Sequence, residues 1–167
     1  MTPKLASLAR AAMDYDRGHA DLIQHFLKVH NLCCIIARGE ALQEDALETL
    51  EAAALLHDIG IPLSMEKYHS DAGHYQEVEG PPVARALLEK NGGFTPDQIQ
   101  RVCWLVGHHH TYQPIDGMDH QILIEADFLV NLYECGEKYW NFLREKPDLF
   151  RTQTGILLLD TMFDRTI

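Results

Sequence analysis

The chain has 167 residues, 46% of them hydrophobic and 23% charged, with a net charge of −11. That length suits one domain over residues 1–167, and the apolar share is enough for a real core. So acidic a surface repels phosphate backbones, which excludes general nucleic-acid binding and long nucleic-acid substrates.

No apolar run approaches the roughly 18 residues of a membrane helix. Met1-Thr2-Pro3-Lys4-Leu5 lacks the apolar segment of a secretory signal. A cytoplasmic location without membrane partners is expected. Cys33, Cys34, Cys103 and Cys135 form no C-x-x-C pair and read as small buried apolar residues.

Thr2 and Pro3 read as the N-cap and first-turn proline of a helix through about Met13. A second helix covers about Asp16 to Ala37. Its apolar positions Leu22, Phe26, Val29, Cys33 and Ile36 recur every three or four residues, and it stops at Gly39. A third runs from about Gln43 to Leu56, and Gly60 and Pro62 end it.

Ile61 to Pro82 holds glycines, prolines, charges and two histidines and reads as a long loop, a kind that often carries function. A helix from about Pro82 to Lys90 ends at Asn91-Gly92-Gly93. Thr95 and Gln98 have capping-box spacing around Pro96, which opens a helix reaching Val106. A polar loop, His108 to Gly117, follows. Asp119 can cap a helix through about Tyr133, and two further helices lie near Glu137–Glu145 and Thr154–Phe163. No strand pattern competes, so the expected fold is all-α, a compact helical bundle.

Ten histidines in an acidic chain are the unusual feature. His57-Asp58 closes the apolar run Ala52-Ala53-Ala54-Leu55-Leu56, and a buried imidazole and carboxylate are costly unless something satisfies them. Asp127 shares a face with Leu123 and Val130, so it needs a cation, a proton or a metal, whereas Glu125 points elsewhere and reads as solvated. His25 lies on a core stripe with Leu22 and Val29. His30 lies on an adjacent one with Phe26 and Cys33, and either could be a ligand.

Two imidazoles and two carboxylates suit Mn, Fe, Co, Ni or Mg, with Zn also compatible, and the carboxylates cancel one divalent charge. His108-His109-His110 follows a helix C-terminus and can add positive charge. His69, His74, Lys28 and Lys67 are further candidates for contact with a phosphate.

The ordered set His25, His57-Asp58 and Asp127, with Leu55-Leu56-His57-Asp58-Ile59-Gly60 at its centre, resembles the HD-domain superfamily of metal-dependent phosphohydrolases. The resemblance spans roughly His25 to Tyr133. It selects His25 over His30, because a basic residue and a valine, Lys28 and Val29, follow His25 as they follow the family's first histidine.

It implies one divalent metal on His25, His57, Asp58 and Asp127, with room for a second. For that second metal, or for substrate phosphate, it offers the pair His108 and His109; His74 lies near the stretch Gln76–Gly80, where no histidine falls in register. It implies hydrolysis of a phosphate ester of a small molecule, with nucleotides in range. In that chemistry Asp58 orients the nucleophile, His108 or His109 protonates the leaving group, and Lys28 and Lys67 bind phosphate. A di-iron oxygenase and a non-catalytic helical module stapled by metal are the alternatives, and homo-oligomerisation is compatible with each.

Overall fold

The computed structural model describes residues 1–164. Nine helices occur among them: α1 (Pro3–Tyr15), α2 (Ala20–Gly39), α3 (Glu44–Leu56), α4 (Ile61–Tyr68), α5 (Gly73–Asn91), α6 (Pro96–Val106), α7 (Gly117–Cys135), α8 (Glu137–Glu145) and α9 (Gln153–Phe163). No strand occurs among the described residues, so the fold is the all-α arrangement that the periodicity predicts. None of these helices is long and apolar enough to cross a membrane.

The helix starts follow local chemistry. Thr2 Oγ1 accepts the amide of Leu5, and Thr95 with Gln98 forms a complete capping box. The expected cap at Asp119 is displaced. The helix begins at Gly117, and Asp119 sits in its first turn, where its carboxylate receives Arg101 at 2.7 and 2.8 Å.

Helix α3 is the centre. Leu50 and Ala52 through Leu56 are all wholly buried, and α1, α2, α6 and α7 pack around it. The alanine run keeps α3 thin, which lets four neighbours approach one helix. The periodic face of α2 is buried at Phe26, Val29, Cys33 and Ile36, as its spacing predicts.

The loop expected over Ile61–Pro82 is instead mostly helix. Pro62 lies in the first turn of α4, where its missing amide costs nothing, so it starts a helix as well as ending one. Pro81 and Pro82 lie inside α5. Two prolines normally break a helix, but here tertiary packing holds the segment: Gly60 and Gly80 bring the start of α4 against α5. A Cβ on Gly60 would stand only 2.7 Å from the Gln76 carbonyl and the Gly80 amide. That crossing places the first turns of α5 beside the end of α3.

Glu125 was expected in solvent and is wholly buried. It accepts the Arg151 and Thr152 amides at 2.6 and 2.9 Å, the Thr152 hydroxyl and the Gln121 amide at 2.7 Å, and so ties α7 to the start of α9. Backbone donors from a remote segment replace water, a pairing with no signature in local sequence. Among the cysteines, Cys33 and Cys103 are buried as expected, Cys34 is half-buried and Cys135 is exposed.

Asp16 closes α1 and is only 2% exposed, with Oδ1 lacking a hydrogen-bond partner. Burial pushes its carboxyl up to about 6, and the charge of Asp58 adds to the shift. A folded-state pKa above the ordinary 3.8 means that its contribution to stability is full below pH 3.8 and is lost as pH rises through about 6. Asp16→Asn should therefore raise the melting temperature of the metal-free chain more at pH 8 than at pH 5. Thermal melts in chelator at the two pH values check this, and an equal shift at both would contradict it.

Candidate metal centre

The site forms where the C-terminal end of α3 meets α2 and α7. His57 is wholly buried, and its Nδ1 donates to the Ala54 carbonyl at 2.9 Å. This bond, made across the last turn of α3, fixes the ring and aims Nε2 inward. His57 Nε2 lies 3.3 Å from His25 Nε2. His25 Nδ1 donates to Glu134 at 2.7 Å, so this ring too is held from behind. Asp127 Oδ1 lies 3.0 Å from His25 Nε2 and 3.6 Å from His57 Nε2, and it accepts the Asn131 amide at 2.7 Å. Asp58 Oδ2 stands 3.4 Å from both imidazole nitrogens.

These edges can be tested against a metal. The triangle His25–His57–Asp58 has edges of 3.3, 3.4 and 3.4 Å, so its corners lie about 1.9 Å from its centre. The triangle through Asp127, with edges 3.3, 3.0 and 3.6 Å, gives about 1.9 Å again. Metal bonds to imidazole and carboxylate are roughly 2.0–2.2 Å, so either triangle can seat an ion just off its plane, and the donor atoms of His25, His57 and Asp58 all lie within 4.8 Å of one another. Without an ion, two imidazole nitrogens face one another between two carboxylates.

The electrostatics agree. Burial pulls His25 down, but the hydrogen bond to Asp127 and the charges of Asp58 and Asp127 outweigh it and hold the ring up at about 9. His57 is likewise held above the ordinary range against its burial, chiefly by Asp58 and Asp127. Burial disfavours the charged carboxylates, yet their imidazole partners hold Asp58 and Asp127 low. In the metal-free chain, protons supply the positive charge that this pocket demands.

Asp58 faces a second group through its other oxygen. Oδ1 stands 3.4 Å from His109 Nε2, a wholly buried atom with no hydrogen-bond partner. His109 Nδ1 donates to the Val106 carbonyl at 2.8 Å, so Nε2 faces the site. Asp58, His109 and His110 can offer donor atoms within 4.8 Å of one another. His110 Nε2 lies 3.2 Å from Gln76 Oε1, whose amide nitrogen donates to the Asp71 carbonyl at 2.6 Å. Burial, then the neighbouring His109, pushes His110 down to about 4, leaving it neutral near pH 7, the form that binds metal.

The structure thus brings together His25, His57, Asp58, Asp127 and His109, but not His108. Nδ1 of His108 donates to the Trp104 carbonyl at 2.7 Å and its ring stacks on Trp104 with centroids 4.1 Å apart. The end of α6 captures this ring, and the facing pair is His109 with His110, one residue later than expected. His74 lies against Tyr75 in the first turn of α5 and joins neither donor group, and His69 closes α4 in a left-handed conformation.

Lys67 pairs with Glu79 at 2.6 Å, and Lys28 with Glu134 at 2.7 Å. Lys28 therefore grips the carboxylate that orients His25. Sequence reasoning missed Gln76, Asn131 and Glu134, and it named His110 in the histidine run without placing it in the facing pair. Asn131 and Glu134 follow Asp127 by four and seven residues, the spacing of one helical face, which was a usable signal.

A cavity of about 570 Å³ opens over the centre. His25, Asp58, Asp127 and His110 line its floor, with Tyr112, Phe128, Tyr139 and Phe142 as aromatic wall. Asp21, Asp71, Glu134 and Lys138 supply its charges.

A family model described as "HD domain" matches residues 22–147. No curated protein and no solved structure matches the chain.

If Glu134 fixes the His25 ring, Glu134→Gln should weaken Mn²⁺ binding about 10–100-fold without loss of helicity. Isothermal titration with Mn²⁺, alongside circular dichroism, measures this. Unchanged affinity would remove Glu134 from the centre.

Proposed function

The chain belongs to the HD-domain family of metal-dependent hydrolases, and on that premise we propose that it hydrolyses a phosphate ester of a small molecule, with nucleoside monophosphates as the best-fitting class. The observation carrying this reading is the convergence of His25, His57, Asp58 and Asp127 at the floor of a cavity open enough for such a substrate.

In this reading His25, His57, Asp58 and Asp127 hold a divalent ion. Such an ion supplies Lewis-acid charge and makes a bound water available as hydroxide near neutral pH. Asp58 reaches both donor groups, so it orients the nucleophile on one oxygen while the other serves His109 and His110. Those two rings, with Gln76 Oε1 behind His110, hold a second ion or receive a phosphoryl oxygen. His108, expected as the general acid, is held by Trp104 and has no part in this scheme.

The cavity wall supports the substrate class. One lysine, Lys138, lines it against three acids, Asp21, Asp71 and Glu134. That balance disfavours a polyphosphate, whose added charges would meet carboxylates. Four aromatic rings offer apolar faces for a planar group such as a nucleobase. The same cavity counts against a merely structural metal, since a staple needs no open space above it. Because Asp58 faces two donor groups, a di-iron oxygenase is the second reading.

The test is purification, metal analysis and a phosphate-release panel of nucleoside mono-, di- and triphosphates with added Mn²⁺. Release from monophosphates is expected, with Asp58→Ala lowering it to background in a protein that stays helical. Full activity in that variant would reject the reading. Bound iron, oxygen uptake and no phosphate release would replace it with the oxygenase.

A further inference from the structure

Five residues along α2 from His25 lies a second group of metal-binding side chains. His30 and Cys34 are four residues apart on α2 and therefore project side by side over successive turns. Glu51 faces them from α3. His30 Nε2 lies 3.0 Å from Glu51 Oε1, Cys34 Sγ 3.5 Å from the same oxygen, and Sγ 3.9 Å from His30 Nε2. A triangle with edges 3.0, 3.5 and 3.9 Å has its corners about 2.0 Å from its centre. Zinc bonds nitrogen and oxygen at roughly 2.0–2.2 Å and sulfur at about 2.3 Å, so an ion slightly out of that plane meets all three donors without rearrangement.

We propose that His30, Cys34 and Glu51 form a metal site separate from the HD centre, binding a zinc-class divalent ion between α2 and α3. The donor set is one imidazole, one thiolate and one carboxylate, which selects zinc, cobalt or nickel over the harder magnesium and manganese. Thiolate and carboxylate together cancel the ion's charge. His30 and Glu51 are buried and Cys34 is half-buried, and the N-terminal ammonium of Met1 stands 3.9 Å from Glu51 Oε1 at the edge of the group.

In the metal-free chain Cys34 S–H donates to Glu51, whose Oε1 also bonds His30. On binding, the thiol proton leaves to solvent, the neutral His30 ring carries its proton on Nδ1 instead of Nε2, and the ion takes the place of both protons between nitrogen, sulfur and oxygen. Cys33 cannot substitute for Cys34, because it is wholly buried in the apolar core. The bound ion joins α2, which carries His25, to α3, whose end carries His57, and so steadies the spacing of those two rings.

Cobalt distinguishes this site from the HD centre, because only a thiolate ligand gives a sulfur-to-cobalt charge-transfer band in the near ultraviolet. The reduced full-length chain is titrated with Co²⁺, then with Zn²⁺. The band should grow to one equivalent, bleach on adding Zn²⁺, and persist in Asp58→Ala, which disables the HD centre alone. It should vanish in Cys34→Ser, and its midpoint should move to higher cobalt in His30→Ala and Glu51→Gln, with helicity checked by circular dichroism. No band in the wild-type chain at saturating cobalt overturns the proposal, as does a band undiminished in Cys34→Ser or an unmoved midpoint in His30→Ala.

Discussion

Two carboxylates carried into the interior govern the structure. Asp127 is 4% exposed, and Asp58 presents both of its oxygens to buried imidazoles. Removing an ion from water costs several kcal/mol unless an opposite charge and good geometry compensate. The fold provides that compensation by surrounding the pair with His25, His57 and His109, each anchored through Nδ1 on an acceptor behind it. The rings are thus held in one orientation, with Nε2 facing the acids whether the cation between them is a proton or a metal.

The rest of the architecture serves that convergence. The alanine run of α3 allows α2 and α7 to close on it, and these three helices supply His25, Asp127 and the run into His57-Asp58. The Gly60–Gly80 approach seats α5 so that Gln76 reaches His110. Asp16, at the end of α1, adds a further buried carboxyl within the field of Asp58. So many acids around one centre make the interior short of positive charge, and a divalent ion answers that need with fewer side chains than lysines or arginines would.

The parts legible in sequence were those set by local rules. Helical periodicity gave the helices of the bundle other than α4 and the first half of α5, and α8 falls on the expected Glu137–Glu145. The apolar run into His57-Asp58 marked the centre, because burial of both groups followed from the run itself. What escaped depended on remote partners. Pro82 read as the boundary between a loop and a helix, yet α5 runs through Pro81 and Pro82 because α4 and α6 brace it. His108 and His110 exchanged roles because a helix-end carbonyl and the Trp104 ring captured one of three identical side chains. Glu125 looked solvated because its partners lie some 26 residues away on the Arg151–Thr152 backbone. Gln76 begins the stretch Gln76–Gly80, where no histidine falls in register, and its carbonyl oxygen, 3.2 Å from His110 Nε2, is a group that a search for histidines passes over.

The central claim is that His25, His57, Asp58 and Asp127 share one cation. Anomalous diffraction at the metal edge, from crystals grown with Mn²⁺, tests it most directly. The account predicts a strong peak within bonding distance of His25 Nε2, His57 Nε2, Asp58 Oδ2 and Asp127 Oδ1. Density showing these side chains packed against one another with no anomalous peak between them at saturating Mn²⁺ would contradict it.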